Sequence, residues 1–436
     1  MNRLPRFKVL GRLGILSCAL SVPAQATQPL ESFLERAETQ SFDAREASIT
    51  QRQRAAEADV ALARLIPAFT ARGVYTRNQR EVAVPLDAGP DLVITPQNQL
   101  DALLQLDVPI VDLASYHRYK SAQALERSAS AQRDATTIDV SRGVARAYYQ
   151  FLGASALARS AQESIGLAQA NQKNVDARRA AGAATELDNE RALANVARAE
   201  QDLADAALGV ALSARSLESL SGLSPEPAAT TFAADDLRLE GSLESWLSRA
   251  RETPLVRAGN HLREAAEENR KAASRAILPT LSGSAQERLT NATGFGGEAS
   301  SYSLQLILAW RLDYSVGSLE SAQQAALDAQ AVRVERTERA ALDATFEAYQ
   351  RVQAGIAKSR AARAQARAAT RAAELSQDRY AAGAATQLDV TQAQRDAFLA
   401  AASQIQADSD LAYARAALRL AVGAPVSTTS APSAER

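Results

Sequence analysis

The stretch Arg178-Arg-Ala-Ala-Gly182-Ala-Ala-Thr185-Glu-Leu187-Asp188 returns as Arg379-Tyr380-Ala-Ala-Gly383-Ala-Ala-Thr386-Gln-Leu388-Asp389, 201 positions later. The same offset lays residues 178–222 on 379–423 without a gap, which marks an internal duplication. In each copy an Ala-rich helical run meets a glycine, and a threonine follows three positions on. Glycine takes positive φ at a helix C-terminus and threonine caps the next N-terminus. Each copy therefore predicts a tight turn between two antiparallel helices, and both copies are hairpin tips.

The duplication spreads outward from the tips. Leu30-Glu-Ser-Phe33-Leu-Glu-Arg-Ala37 matches Leu243-Glu-Ser-Trp246-Leu-Ser-Arg-Ala250, and Leu65-Ile66-Pro67 matches Ile277-Leu278-Pro279. The predicted organisation is a first repeat over 27–222, a connector over 223–242 containing Pro225 and Pro227, a second repeat over 243–423 and a disordered tail over 424–436. A helical pattern over 30–65 stops at Pro67, because proline cannot donate to the helix ladder.

After each proline the period changes from helical to alternating. Segments 69–78 and 281–290 are weakly β-like, and 102–110 and 302–312 alternate clearly. In the last, Tyr302, Leu304, Leu306, Leu308, Trp310 and Leu312 share one face. Eight residues from Tyr302 to Trp310 span roughly 26 Å at ~3.3 Å each, the height of a lipid-facing band, so these two predict an aromatic belt. The links 80–99 and 291–300, the latter containing Gly294-Phe295-Gly296-Gly297, read as loops at one shared end. Long proline-free helical runs follow at 113–180 and 315–381, each ~100 Å at 1.5 Å per residue. The returning helices, 185–220 and 386–422, are about half as long. Each is expected to be continued end to end by a short helix, 254–278 after the first and 30–65 after the second.

Formal charge is −1, which excludes the excess of cations a nucleic-acid protein needs. Residues 1–26 read as an export signal: Arg3, Arg6, Lys8 and Arg12, an apolar run over 13–22, then Ala24-Gln25-Ala26. A rival reading takes Ile15-Leu16-Ser17-Cys18 as a lipoprotein box with Cys18 acylated, although that cut leaves a very short apolar core. Cys18, the sole cysteine, lies inside the export signal, so the expected mature chain carries none, which suits an oxidising compartment. No later run reaches the ~18–20 apolar residues of a spanning helix, so any span must be made of strands. His117 and His261 lie apart, with no ligand-spaced partner, and no catalytic or phosphate-binding motif is present. The expectation is no enzyme, no cofactor and no metal.

The doubled pattern Arg-x-x-x-Gly-x-x-Thr-x-Leu-Asp, met at Arg178, Gly182, Thr185, Leu187, Asp188 and at Arg379, Gly383, Thr386, Leu388, Asp389, resembles the TolC-like outer membrane factors of Gram-negative efflux and type I secretion systems. That resemblance implies a mainly α fold with a small β part. It implies a homotrimer with a long helical barrel in the periplasm and a twelve-stranded transmembrane β-barrel, four strands per chain, in outer membrane lipid. Physics agrees that four strands cannot close alone. The implied partners are a periplasmic adaptor and an inner-membrane transporter, with no nucleic acid. The implied adaptor-docking residues are the tip residues just named. The implied periplasmic gate is Asp389, as an acidic ring, with Asp188 and Tyr380. Gln392 and Ala385 stand where better-known members carry a second ring aspartate and a gate arginine. An exported structural or adhesive coiled-coil trimer is the alternative; strand pairs interrupting the helices at matched places tell against it.

Overall fold

The computed structural model describes residues 28–85, 91–226, 235–311, 315–424 and 426. The export signal with Cys18, Pro227, Leu312 and most of the tail over 424–436 lie outside the described residues.

In the first half the elements are α1 (Leu30–Gln40), α2 (Phe42–Ala63), β1 (Ala68–Arg77), β2 (Val82–Val84), β3 (Leu92–Thr95), β4 (Asn98–Val111), α3 (Leu113–Ala180) and α4 (Glu186–Ser221). The second half has α5 (Leu243–Ala250), α6 (Pro254–Arg275), β5 (Thr280–Thr290), β6 (Ser300–Ala309), α7 (Ser315–Ala381) and α8 (Gln387–Ala421). The single helix expected over 30–65 is two helices. Ser41 is extended (φ −63°, ψ 144°), and its hydroxyl caps α2 by accepting from the Ala44 amide at 3.2 Å. Thr253 and Pro254 make the corresponding break in the second half, with Pro254 at the first helical position.

The main sheet is antiparallel throughout, in the order β1-β4-β5-β6. Within the expected loop 80–99, β2 and β3 pair as a small separate hairpin, and Gly294–Gly296 forms a 3-10 turn inside the loop 291–300. β4 starts four residues earlier than expected because Asn98 pairs with Arg77, and the Leu100 amide donates to the Asn291 side chain at 2.7 Å. β6 ends at Ala309, so Trp310 lies just past it, where its indole N–H donates to the Ile277 carbonyl at 2.9 Å.

α3 has 68 residues and α7 has 67, about 100 Å each. The short helices stack differently from the expectation. Gly222, just past α4, lies against Gln40 at the end of α1, and Gly423, just past α8, lies against Pro254 at the start of α6. Thus α4 is continued by α2 of its own repeat and α8 by α6. The cause is shared packing: α2 and α4 both lie along α3, whereas α6 and α8 both lie between α3 and α7. The bundle is a row of four columns, split (α2/α4), long (α3), split (α6/α8), long (α7).

The core sits where the columns join. Phe33 is buried against Tyr148, ring centroids 5.7 Å apart, beside Val144, Phe151, Leu217 and Leu420. In the second repeat Trp246 packs with Tyr349, Val352, Ile356 and Leu418. The offset of 201 carries Tyr148 to Tyr349 and Leu217 to Leu418, so the duplication extends into packing. A buried ionic cluster straps the connector down. Arg415 holds Asp235 (2.7 Å) and Glu240, and Arg363 donates from Nε to Asp408 (3.0 Å) and from Nη1 to the Asp235 carbonyl (2.8 Å). Ser359 also donates to Asp408.

Candidate functional site

Both tips are built alike. Gly182 and Gly383 have φ +75° and +74°, the left-handed region where a side chain is strained. The Ala183 amide donates to the Arg178 carbonyl at 2.8 Å and Gly182 to Arg179 at 2.9 Å; Ala384 donates to Arg379 at 2.8 Å and Gly383 to Tyr380 at 3.0 Å. These are paired C-terminal closures of the Schellman type. Three residues on, Thr185 and Thr386 open the returning helices with reciprocal capping boxes. The Thr185 hydroxyl accepts from the Asp188 amide at 3.2 Å, and the Thr185 amide and hydroxyl donate to the Asp188 carboxylate at 3.2 and 2.7 Å. Thr386 and Asp389 repeat this at 3.3, 2.8 and 2.7 Å. Hydrogen bonds from the Thr386 backbone and hydroxyl hold the Asp389 carboxyl below the usual carboxylate value of 3.8. Leu187 and Leu388 are exposed beside the caps.

The residue whose contact the sequence did not disclose is Arg178. Its guanidinium crosses to the second tip, donating to the carbonyls of Tyr380 (3.0 Å) and Ala381 (2.9 Å), and lies 4.6 Å from the centre of the Tyr380 ring. Cationic donors suit the carbonyl end of a helix, and the ring face adds a cation–π contact. The structure thus brings Arg178, Tyr380 and the end of α7 together. Arg379 is exposed and near Asp389.

At the other end the register sorts the sheet into two faces, since directly opposed residues share a face. One row across all four strands is Phe69, Leu106, Ala285, Leu304; the adjacent row is Thr70, Gln105, Gln286, Ser303. The alternation continues with Ala71, Leu104, Glu287, Tyr302 against Ala68, Asp107, Ser284, Gln305. On β6 and just beyond it, the apolar face is open: Tyr302 82%, Leu304 76%, Leu306 71%, Leu308 68% and Trp310 65% exposed. Glu287 on this face lies opposite Tyr302, toward one rim, and accepts from the Ser300 hydroxyl at 2.9 Å. On the polar face Arg288 pairs with Asp101 (2.9 Å), and Gln105 donates to Asp107 (2.9 Å). No helix among the described residues is long and apolar enough to cross a membrane. His117, in the first turns of α3 close to the sheet, pairs with Glu268 at 2.7 Å and ties α3 to α6; His261 lies 3.3 Å from Glu264.

An open antiparallel sheet with one apolar exposed face and one polar face, carried on ~100 Å helices, defines a membrane β-structure joined to a long helical stalk. The family model described as outer membrane efflux protein matches residues 33–223 and 246–424, and the chain belongs to that family. No curated protein matches it. Among solved structures it is similar to CusC, at 15% identity over 91% of this chain and 92% of that one, TM-score 0.77. It is also similar to the Campylobacter jejuni CmeC outer membrane channel, at 15% identity over 96% and 94%, TM-score 0.75. The open state of the Neisseria gonorrhoeae MtrE outer membrane channel matches at 19% identity over 91% and 89%, TM-score 0.75. At such identities the likeness is one of fold.

Proposed function

We propose that this chain forms the outer-membrane conduit of a tripartite efflux assembly, three copies enclosing one passage from periplasm to exterior without a catalytic step. The observation that carries this reading is the pair of adjacent rows, one wholly apolar and one wholly polar, across a sheet whose edge strands β1 and β6 have no further strand partner among the described residues. Such a sheet needs lipid on one side, water on the other and a partner at each edge. With four strands alternating in direction, β6 of one copy meets β1 of the next antiparallel, so head-to-tail addition closes a ring. The helices favour the same closure. The row split, long, split, long continues regularly if α7 of one copy receives the α2/α4 column of the next, and exposed Phe346 and Val332 on α7 and Leu208 and Leu212 on α4 are apolar side chains available to such a contact.

In this reading Tyr302 and Trp310 mark the two rims of the lipid band. The tips, with Gly182, Gly383 and their flanking alanines, present close backbone approach to a periplasmic adaptor, whose inner-membrane pump opens them. Asp389, a carboxylate whose pKa the Thr386 hydrogen bonds lower further below its ordinary value, contributes one negative charge per copy to a ring at the closed end. The test is purification and planar-bilayer recording. A detergent-requiring trimer that forms a water-filled pore supports the conduit; a water-soluble monomer absent from the outer-membrane fraction overturns it.

A further inference from the structure

In a closed ring of three copies the six tips alternate first, second, first, second. Every second tip then has its own chain's first tip on one side and a neighbour's first tip on the other. The first of these contacts is visible: Arg178 grips the carbonyls of Tyr380 and Ala381. The offset of 201 carries Arg178 to Arg379, and Tyr380 and Ala381 back to Arg179 and Ala180. We propose that Arg379 is the inter-subunit clamp of the tip ring, donating to the backbone carbonyls of the partner subunit's Arg179 and the partner subunit's Ala180. The inference rests on the trimeric conduit proposed above.

Three features of the single chain support it. Among the described residues the Arg379 side chain donates no hydrogen bond, although that of its counterpart Arg178 donates two. The Ala180 carbonyl likewise accepts none, although its counterpart Ala381 is filled by Arg178. The first tip also surrounds its second arginine with acids: Asp176 and Glu186, which pair with Arg179 at 2.9 and 2.7 Å, are Gln377 and Gln387 in the second tip, where Asp378 replaces Ala177. These acids neutralise the Arg179 side chain where an incoming guanidinium would otherwise meet a like charge. Backbone carbonyls are the acceptors that Arg178 itself uses, and the capping-box carboxylates Asp188 and Asp389 are engaged by their own threonines.

The two clamps are not equal. Arg178 lies on the Tyr380 ring, whereas the matching position in the first tip is Arg179, so the inter-subunit clamp lacks an aromatic platform. The ring should therefore part first between copies, leaving the two tips of each chain joined.

The test uses full-length protein in membranes, with Cys18 the sole native cysteine, and a short bis-maleimide. Arg379→Cys with Ala180→Cys is expected to give covalent dimers and trimers on denaturing gels, and Arg178→Cys with Ala381→Cys internally linked monomers. If the first pair yields only monomers in protein that sediments as a trimer, the clamp is wrong and the conduit stands; a protein that is not trimeric overturns both. The single variant Arg379→Ala reads the same contact without a linker. A several-fold rise in resting conductance is expected, and unchanged conductance in a trimer overturns the clamp.

Discussion

Leu306 and Gln305 are neighbours in sequence on opposite faces of β6, so one charge placed at each tests the assignment of faces. Leu306 lies four residues from both Tyr302 and Trp310, roughly 13 Å along the strand from each at ~3.3 Å per residue, the middle of the apolar band. Its cross-strand partner Gly283 offers no side chain to shield a substituent. An arginine on the lipid face at mid-depth costs about 2–4 kcal/mol per site, hence roughly 6–12 kcal/mol for three copies. Gln305 stands across from Ser284 on the polar face, where water already solvates the row. Leu306→Arg is therefore expected to lower the temperature at which the trimer dissociates in detergent and to reduce its outer-membrane fraction. Gln305→Arg should leave both near wild type and change only ion selectivity. Equal loss in the two variants, or loss in Gln305→Arg alone, would refute the face assignment, since a one-residue slip of register exchanges the faces.

Asp389→Ala is expected to weaken cation preference in planar bilayers while Asp188→Ala leaves it intact; unchanged selectivity in both removes Asp389 from the ring. The depressed Asp389 pKa also fixes the pH response of the second tip. A carboxyl whose folded pKa is lowered stabilises the fold above its ordinary value of 3.8, and that contribution disappears as pH falls through the lower folded value. Hydrogen exchange at the Thr386 amide, corrected for intrinsic rate, should stay protected above the ordinary carboxylate value of 3.8 and lose protection progressively as the pH falls below it; protection that does not change on acidification would show that the carboxylate does not hold the cap. Arg363→Ala strands the buried Asp408 carboxylate and is expected to destabilise the helices by about 3–5 kcal/mol in urea unfolding, with Asp408→Ala in the same chain restoring part of the loss.

The helix tips were the most legible part of the sequence because their chemistry is local. A glycine that must take positive φ and a threonine that must cap lie within four positions, and the long helices between proline-bounded strands have no competing pattern. The strands were half legible. β6 alternates strictly, but β5 carries Gly283, Ser284, Gln286 and Glu287, so its membership became evident only through its partners' register. β2 and β3 are three and four residues long, too short for a period to show. The break at Ser41 had a capping signal, Ser41 followed by Phe-Asp-Ala, that an otherwise uninterrupted helical composition masked. The stacking order of the short helices and the reach of Arg178 depend on which columns lie side by side. Those neighbours are set by packing between residues some 200 positions apart, which no local pattern records.

The ladder between β4 and β5 joins Asp101 to Thr290, and Ser409 donates to the Tyr149 carbonyl across 260 positions. Helix pairs such as α3 with α4 need only a hairpin to meet, whereas the centre of the sheet needs nearly half the chain looped back. Closing so long a loop is slow compared with forming local contacts. During synthesis or export the first repeat therefore offers only the β1–β4 pair, half of the apolar face. The surface that enters the bilayer comes into being when the second repeat arrives, so a truncated chain never displays it complete.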